Sequence, residues 1–151
     1  MWKMCFFMLC NEGQGSFSPY DVLGHLIEAE KNLWLVRAAV ILGHGQTRLF
    51  DDFDRFAHYQ TSQGKSLNDL LDEFTRLRKA SLRAIESYQL SDEQLEKTGQ
   101  HPELGEVKLK ELLATWVVHD LSHIRQMVRI MAKQYKTDVG PWKAYLPIFQ
   151  E

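Results

Sequence analysis

Apolar residues recur along the chain at spacings of three and four, and this pattern predicts three long amphipathic α-helices. The first helix begins at the segment SPYD, residues 18–21. Here Ser18 can cap, Pro19 suits the first helical position and Asp21 completes a capping box. The helix ends at the glycine-rich segment GHG, residues 43–45. Its apolar positions are Val22, Leu23, Leu26, Ile27, Leu33, Trp34, Val40 and Ile41.

The second long helix begins at another capping signature, SLND at residues 66–69. Its apolar side consists of Leu67, Leu70, Leu71, Phe74, Leu77, Ile85 and Tyr88. Residues 46–65, which precede it, carry four aromatic residues among charges, a pattern that fits either a short helical turn or a packed loop. After it, Ser91 starts a short helix that stops at Gly99, and residues 100–107 form a connection.

The last long helix runs from about Lys108 to about Lys136 and begins without a serine or threonine cap, which costs roughly 1 kcal/mol. Its apolar positions are Leu109, Leu112, Leu113, Trp116, Val117, Ile124, Met127, Val128 and Met131. Gly140 and Pro141 end it, and the aromatic tail that follows is expected to pack against the protein. With no strand alternation, the pattern predicts an all-α helical bundle in one domain, residues 1–151.

Composition and charge narrow the function classes. The chain has 151 residues, 44% of them hydrophobic and 25% charged, which is typical of a soluble globular domain. Its formal net charge of −2 offers no basic surface, so nucleic acid is not an expected partner. The apolar run at residues 4–10 is too short to span a bilayer and lacks a signal-peptide cleavage site, so no membrane is expected. Two cysteines fit a reducing compartment, and we predict a cytoplasmic protein.

His119 and His123 carry the clearest chemical signal in the sequence. They are four residues apart on a predicted helix, so both lie on one face and can converge on one metal ion. The pair alone is a weak motif, because two hydrogen-bonded histidines at a core edge have the same spacing. His25, near the start of the first helix, can face this pair in an antiparallel bundle. Three neutral imidazoles would leave a position open for water or substrate, and with no carboxylate ligand the ion would favour an anionic ligand.

The remaining histidines are predicted to have other roles. His44 is expected to cap the end of a helix, and His101 to lie in a solvated turn before a proline. His58, in the aromatic segment, could reach the mouth of a site and contact substrate. Glu28 and Asp120 could orient ligand imidazoles, although solvated helix-face carboxylates are the more common case. No basic cluster, phosphate-binding loop or nucleophile–base arrangement is evident in the sequence.

Two histidine-bearing segments together resemble the DinB-like family. Residues 18–30, SPYDVLGHLIEAE, resemble the second helix of that family, and residues 116–126, WVVHDLSHIRQ, resemble its last helix. The tail at residues 140–147, GPWKAYLP, is similar to one branch. The resemblance implies an up-down four-helix bundle, often dimeric, with a divalent metal on three histidines. Matched by motif, these are His25, His119 and His123.

The family includes proteins similar to bacillithiol-dependent S-transferases and mycothiol-dependent maleylpyruvate isomerase, and others known only as DNA-damage inducible. The resemblance therefore implies a divalent-metal-dependent enzyme, first of all a thiol S-transferase acting on a small molecule with a low-molecular-weight thiol. A metal-dependent hydrolase is the alternative within enzymes, and a non-catalytic metal-binding or stress-response dimer is the alternative outside them. Three imidazoles suit zinc, nickel, copper or iron, and the pattern does not choose among these metals.

One departure from the family concerns the first helix. The family has a long helix before the histidine-bearing second one, whereas only about a dozen residues precede Gly13 here. Residues 1–17 are therefore expected to be irregular or a remnant of a short or missing first helix. The apolar faces left open would need cover from a partner chain, so a homodimer is expected.

Overall fold

The structure, a computed structural model, describes residues 8–44 and 48–150. Helices dominate this part of the chain. They are α1 (Pro19–Asn32), α2 (Trp34–His44), α3 (His58–Thr61), α4 (Leu67–Ser87), α5 (Asp92–Leu95) and α6 (Leu109–Lys133). Two strands, β1 (Thr98–His101) and β2 (Gly105–Lys108), lie between α5 and α6, and two short 3-10 helices, Gly140–Tyr145 and Pro147–Phe149, follow α6.

The predicted helix starts are confirmed by their hydrogen bonds. The Ser18 hydroxyl accepts from the Asp21 backbone N–H at 3.2 Å, and the Asp21 carboxylate accepts from the Ser18 N–H at 2.9 Å. The same reciprocal box opens α4 at Ser66. Helix α6 keeps only the carboxylate half of a box, because Glu111 accepts from the Lys108 N–H at 2.8 Å. That bond satisfies one of the N–H groups at the start of α6.

The first long helix is not continuous as predicted, since α1 and α2 are separate elements with Leu33 between them. The interruption is local, because the Leu33 N–H still donates to Ala29 at 3.1 Å and the Arg37 N–H donates to Leu33 at 3.0 Å. The apolar periodicity indicates which residues are buried, and Leu33 is buried like the apolar residues before and after it. A one-residue interruption therefore leaves no mark in the sequence pattern.

The prediction that residues 100–107 form a connection is wrong, because β1 and β2 form an antiparallel hairpin there. Thr98 pairs with Lys108 and His101 with Gly105. Each strand has four residues, too few for an apolar alternation to be visible in the sequence. The short helix α5 accordingly ends at Leu95 rather than Gly99.

The hairpin packs closely against α2 at Gly99. A Cβ atom at this position would lie 2.8 Å from Ile41 Cγ1 and 2.9 Å from the Phe50 ring, so only glycine fits without a shift. The Phe50 N–H also donates to the Gln100 carbonyl at 2.9 Å, which ties the preceding loop to β1. These contacts hold the turn that follows His101 beside the helical core.

The described residues form two compact units. One unit contains the described residues before Leu23 and those from Asp120 onward, and the other is Leu23–His119. The second unit holds a continuous apolar core of Ala29, Leu33, Trp34, Ala38, Val40, Ile41, Phe50, Leu109, Leu112 and Trp116. In the first unit, residues 8–18 lack regular structure, and Glu12 accepts hydrogen bonds from Arg129 and Lys133. Residues 1–7 lie outside the described part, and the single-domain assignment stays a prediction.

Several apolar side chains in the described part are exposed. The aromatic tail does not pack as expected, because Trp142 and Tyr145 are 71% and 80% exposed. On α6, four exposed apolar residues share one face at helical spacing: Val117, Leu121, Ile124 and Val128. We call these four residues the α6 stripe. Within residues 8–44 and 48–150, no helix has the length and apolar character needed to cross a lipid bilayer.

Candidate metal centre

His25 on α1 and His119 on α6 meet inside the unit formed by Leu23–His119. Their Nε2 atoms are 3.3 Å apart, and the two ring centroids are 5.4 Å apart. Two nitrogens that each bind one ion at about 2.0–2.1 Å with tetrahedral geometry lie roughly 3.3 Å from each other. The observed separation therefore matches the spacing of two ligands of one tetrahedral metal.

The ring of His25 is oriented by a backbone carbonyl. Its Nδ1 lies 3.2 Å from the Arg55 carbonyl oxygen, which can only accept, so Nδ1 carries the proton. His123 shows the same arrangement on α6, where its Nδ1 donates to Gln126 Oε1 at 2.9 Å. In both neutral imidazoles the lone pair is consequently on Nε2. Metal-ligating histidines characteristically donate their other ring N–H to such an oxygen, so these partners fit a metal site.

His123 follows His119 by one turn on the continuous helix α6, so helix geometry itself places the two on one face. His25, His119 and His123 each offer a ring nitrogen as a possible metal ligand. His25 is buried, and the other two are partly buried. Imidazole ligands, with Nε2 as the acceptor in His25 and His123, suit a divalent ion with borderline-soft ligand preference.

A buried ion pair holds the helices behind the histidine pair. Glu30 on α1 accepts from Arg78 on α4 at 2.8 Å and from the Trp116 indole N–H at 3.0 Å. The Glu30 side chain is fully buried. Trp34 then stacks on Trp116 at 5.7 Å and meets the His119 ring edge-on at 5.1 Å. This chain of contacts sets the position of the α6 turn that carries His119.

His58 lies behind His25 rather than at the mouth of a site. Its side chain is 1% exposed, its ring centroid is 6.1 Å from that of His25, and its Nδ1 lies 3.2 Å from the same Arg55 carbonyl. The close approach depends on Gly24, where a Cβ atom would meet Ser62 Oγ at 2.6 Å and His58 Cβ at 3.0 Å. This is the placement of a packing residue, and a role of His58 in substrate binding stays a prediction.

Glu28 is neither solvated nor an orienting partner of a histidine. It is 4% exposed, accepts from the Thr61 hydroxyl at 2.8 Å and from the Asn32 amide at 2.9 Å. It therefore joins α1 to α3. The partners that do orient histidines are the Arg55 carbonyl and Gln126. The first leaves no sequence signal because it is a backbone atom, whereas the spacing of three between His123 and Gln126 could have indicated the second.

A cavity of about 320 Å³ opens beside the histidine pair, near the low end of the range for small-molecule sites, roughly 300–1,000 Å³. Apolar and aromatic side chains make up most of its wall: Leu33, Trp34, Phe50, Phe53, Leu104, Val107 and Leu112. His25 and His119 line it, together with Arg37, Arg55 and His101. The basic groups that are scattered in the sequence thus line one space.

His101 lies at the cavity and is not the solvated turn residue that was predicted. Its Nδ1 accepts the backbone N–H groups of Glu103 and Leu104 at 3.1 and 3.3 Å. Burial, followed by the positive charge of Arg37, lowers the pKa of His101, while Glu103 opposes this shift. The ring is therefore neutral at pH 7 with its proton on Nε2, as a hydrogen-bond donor.

Arg37 on α2 is partly buried and stacks over the Phe50 ring, 5.2 Å from its centroid. Burial lowers the pKa of Arg37 and Asp52 opposes the shift, but a guanidinium remains protonated at neutral pH. Among the described residues no carboxylate lies within ion-pair distance of Arg37. Glu111, which also lines the cavity, is engaged at the start of α6 by the Lys108 N–H.

The fold and the site define a helical protein with a pair of histidines, His25 and His119, beside a mostly apolar cavity. Residues 10–127 match the family model of the DinB superfamily, and the chain belongs to this family. A solved structure, "YfiT from Bacillus subtilis is a probable metal-dependent hydrolase with an unusual four-helix bundle topology", is similar with a TM-score of 0.71 and 19% identity. The match covers 85% of this chain and 73% of that one. A search of curated proteins gives no significant match.

These comparisons confirm the all-α, DinB-like four-helix-bundle fold that the two histidine segments predicted.

Proposed function

We propose that this protein is a metal-dependent enzyme that holds one divalent ion with His25, His119 and His123. The observation that carries the proposal is the distance of 3.3 Å between the Nε2 atoms of His25 and His119, with His123 one turn beyond His119 on the same helix. The Nδ1 atoms of His25 and His123 each donate to an oxygen, which orients these two rings. A divalent ion in this position would act as a Lewis acid and lower the pKa of a thiol or water molecule bound to it. Zinc, nickel, copper and iron all suit these ligands.

The residues around the histidines support a group-transfer reaction. Leu33, Trp34 and Phe53 give the cavity an apolar wall, and a less polar surrounding strengthens electrostatic interactions. Arg55 and Gln126 keep the His25 and His123 rings in the tautomer that leaves Nε2 as a ligand. Three neutral ligands leave the full positive charge of the ion to favour an anionic nucleophile.

Thiol S-transfer is the first candidate reaction. A thiolate sulfur would form a bond to an electrophilic carbon, the leaving group would depart with its bonding electron pair, and the thiol proton would pass to solvent. The mostly apolar wall of the cavity favours it over hydrolysis. Hydrolysis is the second candidate, because the similar structure of YfiT is described as a probable metal-dependent hydrolase.

Metal analysis of the purified protein tests the site. We expect close to one divalent ion per chain, and loss of that ion in the double variant His119→Ala/His123→Ala. The matched control is His101→Gln, which changes a histidine of the same cavity outside the ligand group and should keep its metal. Wild-type protein without near-stoichiometric metal, or a double variant that retains it, would show the proposal to be wrong.

The two reactions are separated by supplying or withholding a thiol. Metal-loaded protein is incubated with several low-molecular-weight thiols and monochlorobimane, and separately with chromogenic esters and amides without thiol. Thiol-dependent bimane fluorescence above the rate of the double variant supports S-transfer, and thiol-independent release of the chromophore supports hydrolysis. Metal-loaded protein that accelerates neither reaction would favour a non-catalytic metal-binding bundle.

We also propose that two copies associate as a homodimer through the α6 stripe. Its four side chains are between 49% and 60% exposed. The stripes of two chains can pack against each other across a twofold axis, so that the same residues are buried in both chains. Sedimentation at micromolar concentration should show a dimer, and Leu121→Glu/Ile124→Glu should yield a monomer. A stable wild-type monomer at that concentration would rule this association out.

A further inference from the structure

Arg37 and His101 form a second polar group on the wall of the cavity, separate from the histidine ligands. They are 64 positions apart in the sequence, and both contact the Phe50 ring. Phe50 has the Arg37 guanidinium 5.2 Å from its ring centroid, and the His101 ring stands edge-on to it at 6.1 Å. Both residues line the cavity that His25 and His119 also line.

Each member of this group offers hydrogen-bond donors and no acceptor. Arg37 carries a positive charge that no ion pair within the described residues compensates. His101 uses its Nδ1 lone pair for the backbone N–H groups of Glu103 and Leu104, so its remaining polar atom is an N–H. A partly buried guanidinium beside a neutral N–H donor is suited to an anionic oxygen group, which a guanidinium can bind with two parallel hydrogen bonds.

The mostly apolar wall of the cavity makes such a group selective. A partly buried charge without an ion-pair partner among the described residues carries a desolvation penalty, which a bound anion would relieve. A ligand without the anion would leave the guanidinium uncompensated, and polar groups left unpaired in a site are a strong basis for discrimination.

Building on the proposed function, we infer that the substrate or its thiol carries a carboxylate-class anion that binds Arg37 and His101 while its reacting atom lies at His25 and His119, which line the same cavity. The cavity then has two anchors for one small molecule. Its volume of about 320 Å³ suits a short chain between them.

The test uses ω-mercaptocarboxylates of three to six carbons, each paired with its uncharged primary amide, and Co²⁺-loaded protein. The thiolate-to-cobalt charge-transfer band reports binding at the histidines, and titration calorimetry gives the dissociation constants. For at least one chain length, the acid should bind at least about tenfold more tightly than its amide. Arg37→Met should remove this difference and leave the amide affinity unchanged, and His101→Gln should reduce the difference in part.

Arg83→Met, which changes an exposed arginine of α4 outside the cavity, is the matched control and should keep the preference for the acid. Equal binding of acid and amide by the wild type would overturn the inference. A preference that persists in Arg37→Met would overturn it as well, because the metal ion itself would then be the anion receptor. If Arg37→Met does not fold, Arg37→Lys replaces it and should show a smaller but measurable loss of preference.

The two proposals fail in different ways in this experiment. Absence of the charge-transfer band with every thiol means that no thiolate binds a metal ion at the histidines, whatever the calorimetry shows. In that case a preference for acids over amides that depends on Arg37 would still support the anion site. A normal charge-transfer band without any preference for the acid over the amide would support the metal centre and rule out the anion site.

Discussion

His25 and His101 line the same cavity but present opposite chemistry to it. At His25 the Nδ1 atom donates to the Arg55 carbonyl, so Nε2 has a lone pair that can bind a cation. At His101 the Nδ1 atom accepts from two backbone N–H groups, so Nε2 carries the proton and can bind an anion. The backbone group that contacts Nδ1 therefore decides whether a cavity histidine is a metal ligand or a hydrogen-bond donor.

The two histidines also differ in how they are supported. His25 lies on a helix that the buried Glu30–Arg78 pair ties to α4 and, through Trp116, to α6. His101 lies at the end of a four-residue strand and depends on the turn that follows it. A metal site needs ligands held to a fraction of an ångström, and a hydrogen-bond donor tolerates more movement. The four predictions below test this contrast, from the largest expected effect to the smallest.

Removing the Glu30–Arg78 ion pair, which supports the helix of His25, should have the largest effect on stability. Arg78→Met leaves the Glu30 carboxylate buried without its cation, and breaking such a pair costs about 3–5 kcal/mol of the free energy of unfolding. Urea denaturation of the two proteins measures the difference. Arg83→Met on the exposed side of α4 should change the free energy of unfolding by less than about 0.5 kcal/mol. Similar stabilities for the two variants would mean that the buried pair does not hold the helices.

The ligand assignment itself comes next. His25→Ala should weaken metal binding by more than about 100-fold, because losing a ligand exceeds the 10- to 100-fold typical of losing an orienting partner. His101→Ala should leave the metal affinity unchanged. Competition with a chromophoric chelator measures both. Equal metal affinities of the two variants would contradict the assignment of His25 as a metal ligand and His101 as a hydrogen-bond donor.

Gln126→Ala removes only the group that orients His123. The expected loss of metal affinity is about 10- to 100-fold, which lies between the effect of losing a ligand and no effect. Gln134→Ala, beyond the end of α6, serves as the matched control. A metal affinity that stays at the wild-type value in Gln126→Ala would show that the hydrogen bond at 2.9 Å does not set the His123 tautomer.

The pH dependence of stability should show the smallest effect, at His101. Its pKa is lowered in the folded state, chiefly by burial, so the unfolded chain binds this proton more readily. The stabilisation is present above the unfolded pKa, near 6.5, and is lost as the pH falls through the folded value. The wild type should therefore lose stability relative to His101→Gln as the pH is lowered from 7.5 to 5. A difference independent of pH would contradict the assigned protonation state.

Local chemistry made several features predictable from the sequence. The capping boxes at Ser18 and Ser66 depend on residues three apart, and the pairing of His119 with His123 depends on helical spacing, so each is encoded within one turn. His25 was assigned through the resemblance of its segment to a family. The break at Leu33 and the hairpin were missed, because neither alters an apolar periodicity long enough to detect.

The sequence by itself determined the three long helical segments, the capped helix starts at Ser18 and Ser66, and which histidines could share a helix face, since these follow from contacts within a few residues. Only the tertiary structure decided that the Arg55 carbonyl orients His25, that Glu28 is buried against Thr61, and that Arg37 and His101 both contact Phe50. The ring nitrogen that carries the proton in His25 and in His101 is set by a backbone group of a different element or turn. Such groups are chemically identical at every position, so only their place in space can reveal what they do.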